Sequence, residues 1–453
     1  MTSTALRPRI DILALGSEFF DPVAAADFPQ TILRFRNDRA AAEIGFDKPA
    51  DADWIAHLGR FQPIPGSLPQ PLALRYHGHQ FRHYNPELGD GRGFLFAQLE
   101  DSGGRLMDLG TKGSGQTPWS RAGDGRLTLK GAVREILATE MLQALGVTTS
   151  RTLSVIETGE QLSRGDEPSP TRSAVLVRLS HSHIRYGSFQ RLAALGLSPE
   201  IERLSHYVLE RLARRDPGPD PYATLMDYAV EGAARLAAEW HVAGFVHGVL
   251  NTDNMNITGE SFDYGPWRFL PEWDMGFTAA YFDQFGLYAF GRQAEALQWN
   301  LFQLAQALRN VAPAESLIPA LQSWPERLAE NARRQFLWRM GLQPQDATTD
   351  QALIRAFESG LAESGIQPDV AWHAARTSRP LPPAFKPFAE LAARQLPVEA
   401  AANHPYWSDA APCTMLVDEV ETVWAAIASR DDWSPLDAKI AAIRRMGEAH
   451  RAQ

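Results

Sequence analysis

The chain of 453 residues contains a single cysteine, Cys413. One thiol excludes an internal disulfide framework and a cysteine-based zinc site, and so sparse a use of cysteine fits a reducing compartment. Long apolar runs are also missing. No window approaches the roughly eighteen apolar residues a bilayer span requires, so no membrane association is expected. The first residues carry Arg7 and Arg9, and Asp11 interrupts Ile10, Ile12 and Leu13. That pattern argues against a secretory leader. Basic runs are absent too: 44 Lys and Arg face 54 Asp and Glu, for a net charge of -10 with the signs well mixed. Nucleic acid is therefore not an expected partner, and the expected location is the cytoplasm. What the chain does have is apolar content, at 44%. That is ample for a large core, and the length suits several domains or one bilobal enzyme with extensions.

Residues 1–70 hold short apolar pieces among Pro63, Pro65 and Pro69, and read as an extension packed on a domain. Next come strand signals. The runs Phe94–Leu99 and Arg105–Leu109 flank Asp101-Ser102-Gly103-Gly104, a hairpin turn. Leu127 to Leu145 reads as a helix, with Val133, Ile136, Leu137, Met141 and Leu145 on one face and Gly146 as the stop. Thr152–Ile156 and Ser173–Leu179 return to strand character. Beyond about 200 the periodicity is helical. Leu225, Ala229, Gly232, Leu236 and Trp240 form a stripe ending at Gly244, and a second helix is expected from Leu287 to Leu308. The fold class is α+β, with a strand-rich first part and a helical second part.

Four constellations carry chemistry. Leu88-Gly89-Asp90-Gly91-Arg92-Gly93 alternates glycines, which lets backbone N–H groups approach an anion, although such runs also serve as plain turns. Lys112 ends a predicted strand, and Glu135 lies on the helix that follows. A strand Lys gripped by a helix Glu is a phosphate-binding arrangement, while each alone reads as a solvated surface charge. Arg178 and Arg185 flank an apolar strand end and could hold a polyphosphate through forked hydrogen bonds. The fourth is His247-Gly248-Val249-Leu250-Asn251-Thr252-Asp253-Asn254, followed by Asp263-Tyr264-Gly265. His77, His79 and His83 lie close together, but their aromatic neighbours Tyr76, Phe81 and Tyr84 favour packing over metal binding. Trp267, Trp273 and Trp299 are assigned to the core.

The fourth constellation resembles a protein-kinase catalytic loop followed by a metal loop. His247 and Asn254 keep the His-to-Asn spacing of that pattern, and Asp263-Tyr264-Gly265 stands where the Asp-Phe-Gly would. The position of the catalytic Asp is Val249, which can neither accept a proton nor hold a metal. Asn254 and Asp263 are oxygen donors suited to Mg²⁺, with Mn²⁺ equally compatible. Asp253 is the carboxylate left in the loop.

Taken together, Tyr76-His77-Gly78-His79-Gln80-Phe81, the 88–92 turn, Lys112-Gly113-Ser114-Gly115 with Thr117-Pro118, Arg134-Glu135, the 247–255 loop, Asp263-Tyr264-Gly265-Pro266 and Gln298-Trp299-Asn300-Leu301 resemble the selenoprotein O family of protein adenylyltransferases. The motifs span roughly residues 70 to 310. The resemblance implies a protein-kinase-like bilobal fold. Its expected parts are an N-terminal extension over 1–70, an N-lobe over 71–190, a C-lobe with catalytic and metal loops over 191–330, and a C-terminal helical region over 331–453. It implies transfer of AMP from ATP to Ser, Thr or Tyr hydroxyls of proteins, with Mg²⁺ as cofactor. By matching position, Gly89, Gly91, Arg92, Lys112, Asp124, Gly125, Arg178, Arg185 and Asp263 would bind nucleotide. Asp253 would accept the proton, Asn254 and Asp263 would hold the metal, and Glu135 would orient Lys112. A non-catalytic pseudokinase scaffold and a γ-phosphate phosphotransferase are the alternatives. Members of the family often carry a redox Cys or selenocysteine near the C-terminus, whereas Cys413 is the sole thiol here.

Overall fold

The structure is a computed structural model that describes residues 6–47, 49–165, 167–398 and 403–451. The ends of the predicted N-terminal extension and of the C-terminal region, 1–5 and 452–453, lie outside the described residues, as do 48, 166 and 399–402.

An antiparallel sheet organises the first 180 residues. Four strands matter to the site: β1 (Leu95–Glu100), β2 (Leu106–Lys112), β3 (Arg151–Leu162) and β4 (Thr171–Ser180). The sheet runs in the order Phe20–Pro22, Leu72–Leu74, β1, β2, β4, β3 and Ile32–Arg36. Short strands at Pro8–Arg9 and Leu127–Thr128 are added to β1 and β4. Strands from both Phe20–Pro22 and Ile32–Arg36 close the sheet at its two edges, so the segment preceding residue 70 is woven into the sheet rather than laid upon it. The β1–β2 turn forms as expected: Asp101 Oδ1 accepts from Gly103 N and Arg105 N, both at 2.8 Å.

Side-chain alternation decides what each sheet face carries. Met107 and Leu109 of β2, with Val175, Val177 and Leu179 of β4, turn to one side and pack with Phe28, Trp54 and Ile64. Leu106, Asp108, Gly110 and Lys112 turn to the other side, as do Leu176 and Arg178. In the β2–β4 register Lys112 opposes Leu176 and Gly110 opposes Arg178, so the two cationic side chains emerge beside one another.

Helix α1 (Leu129–Ala144) lies on that second face. It starts where Thr128 Oγ1 accepts from Gly131 N at 3.1 Å, which satisfies an otherwise unpaired N–H of its first turn. Val133, Ile136, Leu137 and Met141 are all fully buried, as the periodicity predicted. Helix α2 (Pro221–Ala243) carries the predicted stripe inward and stops at Gly244 with φ 66°. The helix expected from Leu287 begins later, as α3 (Gln293–Leu308) after a short 3-10 turn. The reason is local: Asp283 captures the N–H groups of Leu287 and Tyr288 at 2.8 Å each and holds that stretch as a loop. Helices between Trp324 and Ala392 build a separate core around Phe336, Phe357 and Phe385. The last helix, Ser434–Arg451, packs back on α1, where Arg444 grips Glu140 at 2.6 Å. Among the described residues no helix is long and apolar enough to cross a membrane.

Candidate active site

Lys112 leaves the end of β2 and is almost entirely buried. Its Nζ lies 2.6 Å from Glu135 Oε2 and 2.9 Å from Asp263 Oδ1. The strand-helix pair expected from sequence therefore forms, with Glu135 as the partner. Glu140, one turn further on α1, faces Asn37 and Arg444 instead. Arg178 completes the cluster, with Nη1 at 3.7 Å from Glu135 Oε1 and 3.6 Å from Asp263 Oδ1. Two cations and two anions offset one another here, which is what makes burial of each tolerable.

Arg178 is itself held from behind. Its Nε donates to His183 Nε2 at 3.1 Å, and His183 Nδ1 lies 3.3 Å from Asp108 Oδ2. Since Nε2 accepts, Nδ1 carries the proton and donates to Asp108; the imidazole is the neutral tautomer. Burial, opposed by Asp108, holds His183 below its ordinary pKa. The ring sits against Gly110, where a Cβ would come within 2.2 Å of Nε2. Neither Asp108 nor His183 was distinguished as functional in the sequence. The small residue at 110 inside a strand was the available signal.

Arg185 donates from Nη1 to the carbonyl of Asp253 at 2.8 Å and from Nη2 to Asp90 Oδ1 at 3.1 Å. Its guanidinium lies 4.2 Å from the ring centroid of Tyr76 and 4.9 Å from that of Phe262. Asp90 also accepts from Leu74 N at 3.1 Å, so this one carboxylate ties the glycine turn to the sheet and to Arg185. The glycines of that turn admit a neighbouring segment: a Cβ at Gly89 would meet the Trp119 ring at 2.4 Å, and one at Gly91 would meet the Trp119 carbonyl at 2.8 Å.

The 247–254 loop follows a short strand, Phe245–Val246, and closes with a 3-10 turn over Thr252–Asn254. His247 is buried; its Nε2 lies 3.0 Å from the carbonyl of Phe262 and so donates to it. It thereby braces the residue that precedes Asp263, and it plays no part in the cavity lining. Val249 supplies only its carbonyl, to Asn254 Nδ2 at 3.1 Å. That bond leaves Asn254 Oδ1 as the atom available to a metal. Asp253 lines the cavity, and its Oδ1 is buried with no hydrogen-bond partner, lying against Gly78. Burial, opposed chiefly by Arg185, pushes the Asp253 carboxyl up to about 6. Asp263 behaves oppositely. Burial raises it, but Lys112, Arg178, Arg92 and Arg185 together hold it well below the ordinary carboxylate range. Its backbone is left-handed, with φ 61°, and Tyr264 beside it is pinned by Ser261 Oγ at 2.8 Å.

These groups surround one cavity of about 620 Å³. Gly89, Gly91, Arg92, Lys112, Asp124, Gly125, Arg178, Arg185, Asp253 and Asp263 all line it; Asn254, the next residue along the loop, does not. Asp124 is occupied, gripped by Arg164 at 2.8 and 3.1 Å. Gly125 adopts φ 68° and lies so close to Gly115 that no side chain fits. Arg121, Arg126 and Arg164 also line the wall and were missed in the sequence, although Arg121 and Arg126 bracket the Asp124-Gly125 pair. Seven cationic side chains face four acidic ones, so the cavity favours an anionic ligand. Among the described residues Arg92 and Arg121 form no ion pair or side-chain hydrogen bond, which leaves two guanidiniums at liberty for phosphate.

The three histidines do not converge. His77 Nδ1 meets the Tyr84 hydroxyl at 2.6 Å, His79 Nδ1 meets Gln190 at 2.8 Å, and His83 is exposed. Among the described residues no group of three His, Cys, Asp or Glu could hold a metal. Trp267 and Trp273 are buried as expected, whereas Trp299 is partly exposed, with Arg82 over its ring at 5.6 Å.

A cationic cavity between a strand-borne Lys and a carboxylate loop marks an α+β protein suited to an anionic, phosphate-bearing ligand. Comparison with known proteins narrows this class. The family model described as "Protein adenylyltransferase SelO" matches residues 3–373. The "Protein nucleotidyltransferase YdiU" of Synechocystis sp. is 42% identical over 460 residues, covering 94% of this chain and 95% of its own. The protein of the same name from Gloeobacter violaceus is 43% identical over 459 residues, covering 95% and 94%. That of Vibrio cholerae is 37% identical over 337 residues, covering 73% and 67%. The chain belongs to the SelO family of protein adenylyltransferases. The likeness reaches well beyond the motif-bearing stretch of 70 to 310.

Proposed function

We propose that this protein transfers AMP from ATP to a Ser, Thr or Tyr hydroxyl of a protein, with release of pyrophosphate. The observation that carries this reading is Asp253: a buried carboxylate with an unpartnered oxygen, in the same cavity as Lys112, Arg178 and Arg185. A carboxyl poised near 6 is mostly ionised at neutral pH and still basic enough to accept a proton. The acceptor hydroxyl oxygen forms a bond to the α-phosphorus, and its proton passes to Asp253. The bond from the α-phosphorus to the oxygen bridging to the β-phosphate breaks, and pyrophosphate leaves with that electron pair. Lys112, Arg178 and Arg185 offset charge on the phosphates; Arg92 and Arg121 are placed to do so further out. Fixed charges of this kind supply most of the rate in phosphoryl transfer.

Asn254 and Asp263 would hold Mg²⁺, or Mn²⁺. Their donors are an amide oxygen and a carboxylate held ionised, a set that fits a hard cation also bound by phosphate oxygens. When bound, the ion would neutralise phosphate charge. Glu135 keeps Lys112 aimed, and His183 and Asp108 keep Arg178 aimed.

The architecture is read as protein-kinase-like and bilobal, with the sheet and α1 forming the N-lobe over 71–190 and the loops and helices of 191–330 the C-lobe. The interwoven strands before residue 70 and the helices beyond 331 brace it. Val249 in place of a loop Asp speaks against γ-phosphate transfer. Incubation with ATP labelled at the α or the γ position is the test. Label from the α position on protein is expected; label from γ alone, or none, refutes the reading.

A further inference from the structure

Large apolar side chains are exposed at twelve positions among the described residues, and four of them fall between Met275 and Phe285. Tyr281 and Phe285 are the two most exposed, at 85% and 93%, with Phe282 at 45% and Met275 at 44%. Scattered single residues of this kind need no explanation, but a cluster does.

The loop that carries them is built, not slack. Asp283 is buried and accepts from Leu287 N and Tyr288 N, while its own N–H donates to Ala280 O at 3.1 Å. Its two ends are stitched together by Phe290 N to Phe277 O and Gly291 N to Met275 O, both 2.9 Å. A loop held this firmly presents its aromatics outward by construction.

The loop is also continuous with the catalytic loop. Phe282 packs on Phe81 with ring centroids 5.9 Å apart, and Phe81 packs on Tyr288 at 5.1 Å. The Tyr288 hydroxyl and Phe81 N both donate to Asn251 Oδ1, at 2.8 and 3.0 Å. Asn251 lies two residues before Asp253, and Gln80, next to Phe81, lines the nucleotide cavity. An acceptor hydroxyl that reaches Asp253 therefore arrives beside this surface. From 271 to 291 the sequence has no Lys or Arg and three acids, Glu272, Asp274 and Asp283, and the bordering Arg82 and Arg292 are both paired with Glu295, so an acidic partner is disfavoured.

We propose that the loop 274–289 is the docking surface for the acceptor protein. It takes an apolar side chain flanking the acceptor hydroxyl on an extended segment. The inference rests on protein AMP transfer being the reaction. The probe is a set of glycine-spaced peptides, each with one Ser, Thr or Tyr, flanked by Leu, Asn or Asp, with ATP labelled at the α position. Leu-flanked peptides should be labelled about tenfold more efficiently than Asn-flanked ones, through KM, as expected for partial burial of one Leu. Asp-flanked peptides should be worst. In the Tyr281→Ser/Phe285→Ser double variant the Leu preference should vanish, while ATP binding stays unchanged. Equal labelling of Leu and Asn peptides overturns the proposal. So does a preference that survives in the variant, or an enzyme that labels itself but no peptide. If the double variant loses ATP binding, Phe285→Ser alone, at the most exposed position, is measured against the same criteria. Absence of any α label, on peptide or enzyme, instead overturns the transfer reaction and this inference with it.

Discussion

Lys112 and Glu135 meet at 2.6 Å although they are 23 positions apart and belong to a strand end and a helix. The pair is buried, and Asp263 from a third segment reaches the same ammonium at 2.9 Å. One nitrogen thus joins the sheet, α1 and the loop that follows the 247–254 segment. Removing a single charge from such a cluster leaves one buried charge of the opposite sign in excess.

Glu135→Gln keeps the shape of the side chain and deletes its charge. Lys112 then leans wholly on Asp263, and the cavity loses its preset geometry. ATP affinity measured by calorimetry should fall at least about tenfold, near 1.4 kcal/mol, and unfolding free energy by about 3 kcal/mol. An unchanged ATP affinity would remove Glu135 from the site.

Asp253→Asn removes the proposed proton acceptor while preserving its size. Transfer of α label should drop by about 10² to 10⁴, the range for loss of a general base. ATP binding should stay within a few-fold, because the carbonyl that Arg185 grips is retained. Near-normal transfer in this variant would place the base elsewhere.

Gly110→Ala would force a methyl to within 2.2 Å of His183 Nε2. The imidazole cannot swing away without breaking its bonds to Asp108 and Arg178. A stability loss of about 2–3 kcal/mol is expected in urea denaturation, together with weaker ATP binding as Arg178 shifts. Wild-type values for both would show that the ring has room to move.

Glu239 on α2 is buried and accepts from Thr148 N at 2.7 Å and Thr148 Oγ1 at 3.1 Å. Burial, opposed by Arg235 and Thr148, pushes its pKa from 4.5 up to about 7. A pKa raised in the folded state means stability that is complete below pH 4.5 and is lost as pH rises towards 7. Relative to Glu239→Gln, the wild type should lose up to about 3 kcal/mol across that window. A stability difference between the two proteins that does not vary with pH would contradict the shift.

Much of the site could be read from the chain because local pattern carried it. The period of two in β2 and β4 places Lys112 and Arg178 on the same face as Asp108, and the period of 3.6 in α1 places Glu135 towards them. The spacing of His247, Asn254 and Asp263 marks the loops. Two features differ from the local reading, one for a local reason and one for a long-range one. Asp283 delays the start of α3, and the segment preceding residue 70 supplies sheet edges, which no local pattern encodes.

The α+β order of elements, the strand Lys with its helix Glu, and the absence of a carboxylate at Val249 are legible in the chain alone. These depend on residue type and short-range periodicity. Distant neighbours in the folded chain decide that Glu140 is taken by Arg444 and that Asp253, on the wall of the cavity, keeps a buried oxygen with no hydrogen-bond partner. The tertiary structure alone showed that His183 and Asp108 stand behind Arg178, and that Tyr281 and Phe285 are exposed on a loop whose Phe282 packs on Phe81. Burial, ion pairing and exposure are properties of neighbours distant in the chain, and folding is what brings those neighbours together.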